Sequence, residues 1–150
     1  MKLPDAVLTF TPACDYLIYK EVLGSCDIAF LPLLENRFNS FKSDLKAVEA
    51  AGHGLAILAS PTVYASSGLV DGHTATFFQT EEDLKQQLFA WAKDPDSVRA
   101  MGARARQWVR SERLLCYQVR HREDWYRDLW NRREQFTHAL KRREPQLFNY

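Results

Sequence analysis

The sequence predicts an α/β fold, with a partial Rossmann-like parallel sheet of about four to five strands and a helical C-terminal part. Two observations support this class. Short apolar runs alternate with segments of helical period as far as residue 79, and this alternation is typical of parallel strands joined by right-handed crossovers. After residue 80 only helical periods remain. We therefore expect a single domain over residues 1–150, with an α/β part at 1–79 and a helical part at 80–150.

The composition is that of an ordinary globular protein. Of its 150 residues 46% are hydrophobic and 13% aromatic, and the formal net charge of +1 gives no sign of a nucleic-acid partner. The three cysteines lie far apart in the sequence, which favours free thiols over a disulfide or a zinc site. No apolar run approaches the ~20 residues that a membrane span needs. We expect a cytoplasmic protein without a transmembrane segment.

The first predicted elements are a strand, a helix and a second strand. Residues 6–10 have a β-type pattern, and residues 14–23 have the period of a helix. Gly24 is placed to end that helix, because glycine enters the left-handed conformation without steric cost. Residues 27–33 form an unbroken apolar run, which predicts a buried strand that Pro32 ends.

The next predicted elements are a loop and a short helix. Residues 34–40 are polar and predict a loop. Ser43 is the predicted N-cap of a helix over residues 44–51, which Gly52 and Gly54 are expected to end. The small residues of this helix would let it lie very close to a sheet.

Two further strands complete the predicted sheet. The first covers residues 54–60 and is followed by a loop or short helical turn at 61–67. Residues 68–73 have the pattern of a strand and turn, with Gly72 as the turn residue. A last short strand is predicted at residues 75–79.

Helical signals fill the remainder of the chain. Thr80 is a predicted N-cap with acidic residues in the first turn after it, and Pro95 breaks the helix that follows. A second helix is expected from Pro95 to about residue 109, and a third over residues 114–141. Pro145 is expected to end any helix that reaches it.

Four polar residues of the central helical segment form one stripe. Lys42, Lys46, Glu49 and His53 recur at spacings of four, three and four residues. The unpaired N–H groups at the helix start, with the two lysines beside them, favour an anion. Glu49 is flanked by alanines, so its carboxylate has to be paired or to bind a ligand. An ion pair with Lys46 or Lys42 and a bound ligand are left as alternatives.

Other kinds of site find no support in the sequence. The histidines lack metal-ligand spacing, and no dinucleotide-binding, phosphate-loop or nucleophile-elbow motif occurs, so we expect no metal and no cofactor. Asp27 begins a predicted strand, whereas a phospho-acceptor needs the carboxyl end. Acidic residues interleave with the arginines after residue 99, which favours a solvated face over a surface for phosphates or anionic lipids.

An ordered series of segments resembles the C-terminal domain of GT-B glycosyltransferases. The similarity is greatest to the retaining, nucleotide-sugar-dependent group often called family four or group one, and it covers roughly residues 5–130. The segments that carry it are residues 27–33, 36–46, 49–54 and 56–60, followed by Tyr64, residues 70–74 and residues 99–106.

The resemblance implies a glycosyltransferase that moves a sugar from a nucleoside diphosphate-sugar to a hydroxyl acceptor without a metal. Glu49 matches the glutamate that binds the ribose in that family, and Phe41 stands where the family often has a second glutamate. No catalytic residue is assigned, and the base, sugar and acceptor stay open. The other residues that the resemblance places at the diphosphate and sugar are Asn39, Ser40, Lys42, Ser43, Asp44 and Lys46.

Part of such an enzyme has no counterpart in this sequence. The N-terminal, acceptor-binding domain is missing, as is the first half of the C-terminal domain, whose basic residues neutralise the leaving diphosphate in the family. Loss of one such donor typically costs ~10²–10³ in rate. We therefore keep a second hypothesis, a non-catalytic nucleotide-sugar-binding or assembly module that pairs with a separate N-terminal half or forms a homo-oligomer.

Overall fold

The computed structural model describes residues 9–148 in two compact units. The first unit ends at Ser111 and the second begins at Glu112. All the strands of the described residues lie in the first unit, whereas the described part of the second unit is helical. No helix among residues 9–148 is long and apolar enough to cross a membrane.

The first unit alternates helices and short strands before it becomes helical. Its elements are α1 (Tyr16–Gly24), β1 (Ile28–Leu31), α2 (Arg37–Ser40), α3 (Leu45–His53), β2 (Ala56–Ala59), α4 (Pro61–Tyr64), β3 (Thr76–Phe77), α5 (Glu81–Lys93) and α6 (Pro95–Trp108). A π-helical turn at Val109–Arg113 follows. The second unit contains α7 (Leu115–Asn131), α8 (Arg133–Arg143) and a 3₁₀ turn at Pro145–Phe148.

The three strands form a parallel sheet in the order β1-β2-β3. Ile28 pairs with Ala56 at one end of the β1–β2 ladder, and Leu58 pairs with Thr76 in the β2–β3 ladder. The parallel direction that the alternating pattern predicted is therefore present. All four residues of the central strand β2 are buried, because neighbours cover both of its edges and both of its faces.

The described residues form three strands rather than the predicted four to five. Of the strand predicted at residues 6–10, residues 6–8 lie outside the described part, and the remaining two residues are not in a strand. The strand predicted at 68–73 is a turn that contains one isolated bridge, Asp71 to Ala75. Gly68 and Gly72 have φ of 91° and 69°, so the backbone repeatedly leaves the extended region there. Gly72 is a turn residue, as predicted.

The prediction that β1 is a buried strand was wrong. Within the described residues β1 pairs only with β2, and Phe30 is 51% exposed although Ala29 beside it is buried. The Phe30 ring stacks on that of Phe78 at 5.5 Å between centroids. An unbroken apolar run does not by itself distinguish a central strand from an edge strand. The predicted end at Pro32 was correct, because β1 stops at Leu31.

Helix α3 lies very close to the sheet through its alanines. Ala47, Ala50 and Ala51 are at most 1% exposed, as their small size predicted. Asp44, not the predicted Ser43, is the N-cap of this helix. At the other end the helix passes through Gly52 to His53, and Gly54, which was correctly predicted to help end it, is the left-handed C-cap with a φ of 83°.

Each face of the sheet packs against its own hydrophobic core. One core joins the alanines of α3 to Ile57 and Trp108, and the other joins Leu58 to Trp91 of α5 and Met101 of α6. Successive residues of β2 point to opposite faces, so this strand contributes to both cores. Helix α6 contributes to both cores and also contacts α3.

The ends of the early helices differ from the prediction in two places. Helix α1 starts after Asp15, whose carboxylate accepts hydrogen bonds from the N–H groups of Leu17 and Ile18. Gly24 is the last residue of α1, but it does not adopt the left-handed conformation that was predicted. The C-cap is Ser25, whose backbone is right-handed. The predicted loop at 34–40 contains the helical turn α2, which Asn36 caps.

The later helices start where local signals predicted. Thr80 and Asp83 form a reciprocal capping box at the start of α5, and Asp94 caps α6 just before Pro95. The single helix predicted over 114–141 is two helices, because the backbone leaves helical geometry at Arg132, with φ −97° and ψ 6°. The sequence has neither glycine nor proline at that point.

Candidate functional site

A cleft of about 710 Å³ opens at the carboxyl ends of the three strands. This is the edge at which open parallel α/β sheets bind their ligands. The residues that line the cleft are Pro32, Leu33, Leu34 and Glu35 after β1, Ser60, Pro61 and Thr62 after β2, and Phe78 and Gln79 after β3.

Hydrogen bonds of Ser60 connect the ends of β1 and β2 at the cleft. Its N–H donates to Leu31 O at 3.2 Å, and its Oγ accepts a hydrogen bond from the N–H of Leu33 at 2.8 Å. The Thr62 hydroxyl donates to Leu33 O at 3.3 Å. These bonds continue the connection between β1 and β2 past Pro32, which has no N–H to give to a ladder. The backbone at the cleft is therefore fixed by side chains from the neighbouring strand end.

The loop after β1 is held by its own side chains. Asn39 is buried, its Nδ2 donates to Leu34 O at 2.8 Å, and its N–H donates to Asn36 Oδ1 at the same distance. The Ser40 hydroxyl donates to Arg37 O at 2.8 Å. Both predicted site residues thus make hydrogen bonds within the loop. Because Leu34 lines the cleft, Asn39 fixes the shape of one cleft wall.

The loop then leads into the start of α3. Lys42 and Ser43 are exposed, and the Lys42 ammonium lies 5.3 Å from the centroid of the Phe38 ring. Asp44 O accepts the N–H groups of Ala47 and Val48, so the first turn of the helix begins here. The helix start that the sequence predicted as favourable for an anion therefore follows the cleft wall along the chain.

Glu49 lies in a three-residue cluster with Tyr19 of α1 and Lys46 of α3. Glu49 Oε2 accepts from the Tyr19 hydroxyl and from Lys46 Nζ, each at 3.0 Å. Lys46 Nζ also lies 3.0 Å from the Tyr19 hydroxyl oxygen and 4.5 Å from the Tyr19 ring centroid. The Glu49 side chain is 18% exposed, against 57% for Lys46. The ion pair with Lys46, one of the two predicted alternatives, is present.

Sequence reasoning missed Tyr19 because it lies 30 residues before Glu49. Nothing in the pattern of α1 points to a partner on α3; only the packing of the two helices brings the hydroxyl to the carboxylate. The cleft residues Glu35, Thr62 and Gln79 were also missed. Their signal was available, since Glu35 and Thr62 closely follow predicted strands and Gln79 is the last residue of one.

The hydrogen bonds of the cluster perturb the pKa of Lys46. The Tyr19 hydroxyl, and next the Glu49 carboxylate, favour the charged ammonium and raise the pKa of Lys46 above its ordinary value of 10.5, against a smaller opposing effect of burial. Burial raises the pKa of Tyr64, which is 4% exposed. The charge of Asp44 adds to this second shift, and the charge of Lys46 opposes it.

We expect the Lys46 cluster to lose its contribution to stability at alkaline pH. Because folding raises the pKa of Lys46 above 10.5, this contribution is complete below that pH and is lost as the pH rises through the folded pKa. Urea unfolding at neutral and strongly alkaline pH tests this. The midpoint difference between the wild type and Lys46→Met should shrink at alkaline pH, whereas the exposed control Lys93→Met should show no such trend. A constant difference for Lys46→Met contradicts the prediction.

The predicted site residues fall into two groups, both outside the cleft lining. The loop and helix-start group comprises Asn39, Ser40, Lys42, Ser43 and Asp44, and the cluster group comprises Lys46 and Glu49. None of the seven is among the residues that line the cleft itself. The described residues contain no group of three or more histidine, cysteine, aspartate or glutamate side chains that could hold a metal ion.

Together the sheet and the cleft define an α/β protein with a cleft at the carboxyl edge of its parallel strands, where open α/β sheets bind their ligands. A family model described as glycosyl transferase-like matches residues 7–123, which is most of the chain. The chain therefore belongs to the glycosyl transferase-like family. No curated protein and no solved structure matches it.

Proposed function

We propose that this chain binds a nucleoside diphosphate-sugar at the carboxyl edge of its sheet, as the donor part of a glycosyltransferase. The observation that carries the proposal is the position of the cleft at the carboxyl ends of the parallel strands, where one wall is a loop that Asn39 fixes through Leu34 O and that leads along the chain into α3. Membership of the glycosyl transferase-like family supports the reaction class. The resemblance to the C-terminal domain of retaining GT-B enzymes supplies the expected arrangement, with a second domain for the acceptor.

Glu49 is the proposed ribose ligand. Its Oε2 holds the Tyr19 hydroxyl and the Lys46 ammonium, whereas Oε1 accepts no hydrogen bond from any described residue. A carboxylate oxygen of this kind can accept a hydrogen bond from a sugar hydroxyl. Tyr19 and Lys46 fix the orientation of the carboxylate, so the free oxygen is positioned before the ligand arrives. In this proposal Tyr19 is a positioning residue.

The diphosphate is proposed to bind at the start of α3. Helix N-termini present unpaired N–H groups and partial positive charge to an anion. The exposed Lys42 and Ser43 stand beside that end, and Lys46 follows in the first turn. Asp44 and Ser40 flank this position, and Asn39 acts through the loop because its amide is bonded to Leu34 O.

The reaction needs electrostatic support for its leaving group. Transfer breaks the bond between the anomeric carbon and the diphosphate oxygen and forms a bond from that carbon to an acceptor oxygen, which loses its proton. The nucleoside diphosphate leaves with the bonding electron pair. Lys42, Lys46 and the start of α3 would stabilise the negative charge that develops there, without a metal. Retention of configuration is proposed from the family resemblance.

A second candidate function is a non-catalytic binding or assembly module. Three large apolar side chains near the cleft are unusually exposed: Leu34 at 79%, Phe38 at 76% and Phe41 at 81%. Exposed apolar side chains that together form a patch commonly mark an interface. In this alternative the surface pairs with a separate N-terminal half or a second copy of the chain. Light scattering distinguishes the two, since a monomer that pairs with nothing contradicts the module.

Isothermal titration with nucleoside diphosphates tests the donor site. The wild type should bind, and Glu49→Gln should weaken binding by about tenfold or more, because hydrogen bonds to charged groups contribute ~1.5–3 kcal/mol. Glu81→Gln is the matched control, since Glu81 is exposed and forms an ion pair with Lys85 at 2.8 Å outside the site. Absence of binding by the wild type, or equal binding by Glu49→Gln, would sink the assignment.

A further inference from the structure

A second, basic cavity lies at the opposite end of the sheet from the cleft. Its volume is about 320 Å³, and its lining includes His53, Gly54, Arg99, Ala103, Arg106 and Arg110. His53 and Gly54 precede β2 with only Leu55 between, so this cavity is at the amino end of the central strand. The donor cleft is at the carboxyl ends. The two are therefore separate sites within the first unit.

The three arginines share one face of α6 and the turn after it. They recur at spacings of seven and four residues, which places their side chains in one row. Ala103 lies between the first two, and its small side chain leaves open space in the row. None of the described residues that line the cavity is acidic. The cavity therefore concentrates positive charge, although the whole chain has a net charge of only +1.

Two of the guanidinium groups are available to a ligand. Arg99 is paired with Asp96, but Arg106 and Arg110 form no ion pair or hydrogen bond with any described residue. His53 Nδ1 lies 2.9 Å from Glu49 O, which leaves Nε2 as the ring nitrogen for a ligand. The stem of Arg106 is seated on the turn after α3, since its Cδ lies 3.8 Å from the position of a Cβ on Gly54.

Compensation of the α3 dipole does not account for this arrangement. One cation near the last turn is sufficient to offset the partial negative charge of a helix C-terminus, whereas this cavity gathers three arginines. Additional guanidinium groups in the same concavity repel one another unless an anion lies between them. Planar guanidinium groups match phosphate in a bidentate geometry, which makes phosphate the ligand chemistry that fits best.

We propose that this cavity binds a phosphate group, held by Arg106 and Arg110 with His53 at its edge. The site is distinct from the donor cleft and does not depend on the proposed function. The phosphate can come from a soluble phosphorylated molecule or from a lipid headgroup. A phosphate monoester of either source, such as the headgroup of phosphatidic acid, presents the same group to the two arginines.

Isothermal titration with pyrophosphate at low ionic strength tests the site, because salt screens exposed charges. Arg106→Gln and Arg110→Gln should each weaken the binding by about tenfold or more. Ala103→Glu should abolish the binding of pyrophosphate, because this variant places a carboxylate in the cavity while every arginine is retained. Arg120→Gln in α7 removes the same charge elsewhere and should bind like the wild type. Thermal unfolding of each variant shows that these exposed substitutions leave the fold intact.

Two further experiments distinguish this site from the donor cleft and distinguish the two sources of phosphate from each other. Lys46→Gln alters the proposed donor site and should leave the arginine-dependent binding in place. Cosedimentation with phosphatidylcholine vesicles, with and without phosphatidic acid, tests the lipid source. Binding to the phosphatidic acid vesicles that requires Arg106 supports a headgroup ligand, and binding of pyrophosphate alone supports a soluble one. Binding that is absent in both, or unchanged in the Arg106 and Arg110 variants, overturns the proposal.

Discussion

Replacement of Gly102 by alanine should destabilise the first unit by about 3 kcal/mol or more, which is at the upper end of the cost of overpacking a core. A Cβ at this position would lie 1.9 Å from Gly54 O and 2.9 Å from Gly54 C. Both atoms are backbone, so no side chain can rotate away. Helix α6 would have to move off the turn between α3 and β2. Urea unfolding followed by far-UV circular dichroism measures the loss.

Gly52→Ala is the matched control for Gly102→Ala. Gly52 also lies inside a helix, but no atom lies within 4 Å of its added Cβ. Alanine at an open helical position stabilises by about 0.5–1 kcal/mol, because it restricts the unfolded chain and favours the helix. The two identical substitutions should therefore have opposite signs. A Gly102→Ala variant as stable as the wild type would show that α6 does not contact the turn so closely.

Features encoded within a few residues could be predicted from the sequence. The Thr80 and Asp83 capping box requires only a hydroxyl and a carboxylate three residues apart, and the left-handed cap at Gly54 requires only a glycine. The parallel direction of the strands followed from the alternation of elements. Errors at Ser43 and Gly52 moved helix ends by short distances without changing the order of elements.

Features that depend on tertiary packing could not be predicted in the same way. The apolar run of β1 does not reveal that Phe30 lies on a half-exposed strand, because this depends on which strands flank it. The helical period continues across Arg132, so it does not mark the break between α7 and α8. The turn at 68–73 contains apolar residues, but two left-handed glycines prevent a continuous strand.

The same distinction applies to the candidate site. The Lys46–Glu49 pair joins residues three apart on one helix, and the helical stripe was sufficient to predict it as one alternative. Tyr19 and Ser60 act across long sequence separations, through packing of α1 on α3 and of β2 on β1. Helical periodicity was sufficient to identify Glu49, whereas the Tyr19 hydroxyl that orients its carboxylate can be identified only from the folded structure.

Replacement of Ile57 by alanine should destabilise the first unit by about 2–5 kcal/mol. Ile57 is 0% exposed and is among the largest fully buried side chains of the described residues. It packs in the core that contains the alanines of α3 and Trp108. Alanine side chains are too short to fill the space that the substitution leaves, so the cavity term should be large. Leu17→Ala is the control, because Leu17 is 70% exposed and should change stability by no more than about 0.5 kcal/mol.

The Ile57→Ala variant also tests whether the stability of the fold and the binding of ligand at the cleft are independent. Ile57 lies within β2, whereas the cleft is formed by residues that follow the strand, beginning with Ser60. A ligand that binds only the folded state stabilises it by an amount that depends on its concentration and affinity, about 2.7 kcal/mol at one hundred times Kd. A nucleoside diphosphate at a fixed multiple of Kd should therefore stabilise the wild type and Ile57→Ala by the same increment. At the same ligand concentration Glu49→Gln, measured against its own stability without ligand, should lose about half of the increment or more, because its Kd is expected to be about tenfold higher or more. If Ile57→Ala loses the increment while it remains folded, the core and the cleft are coupled, and the donor site cannot be assigned from its own residues alone.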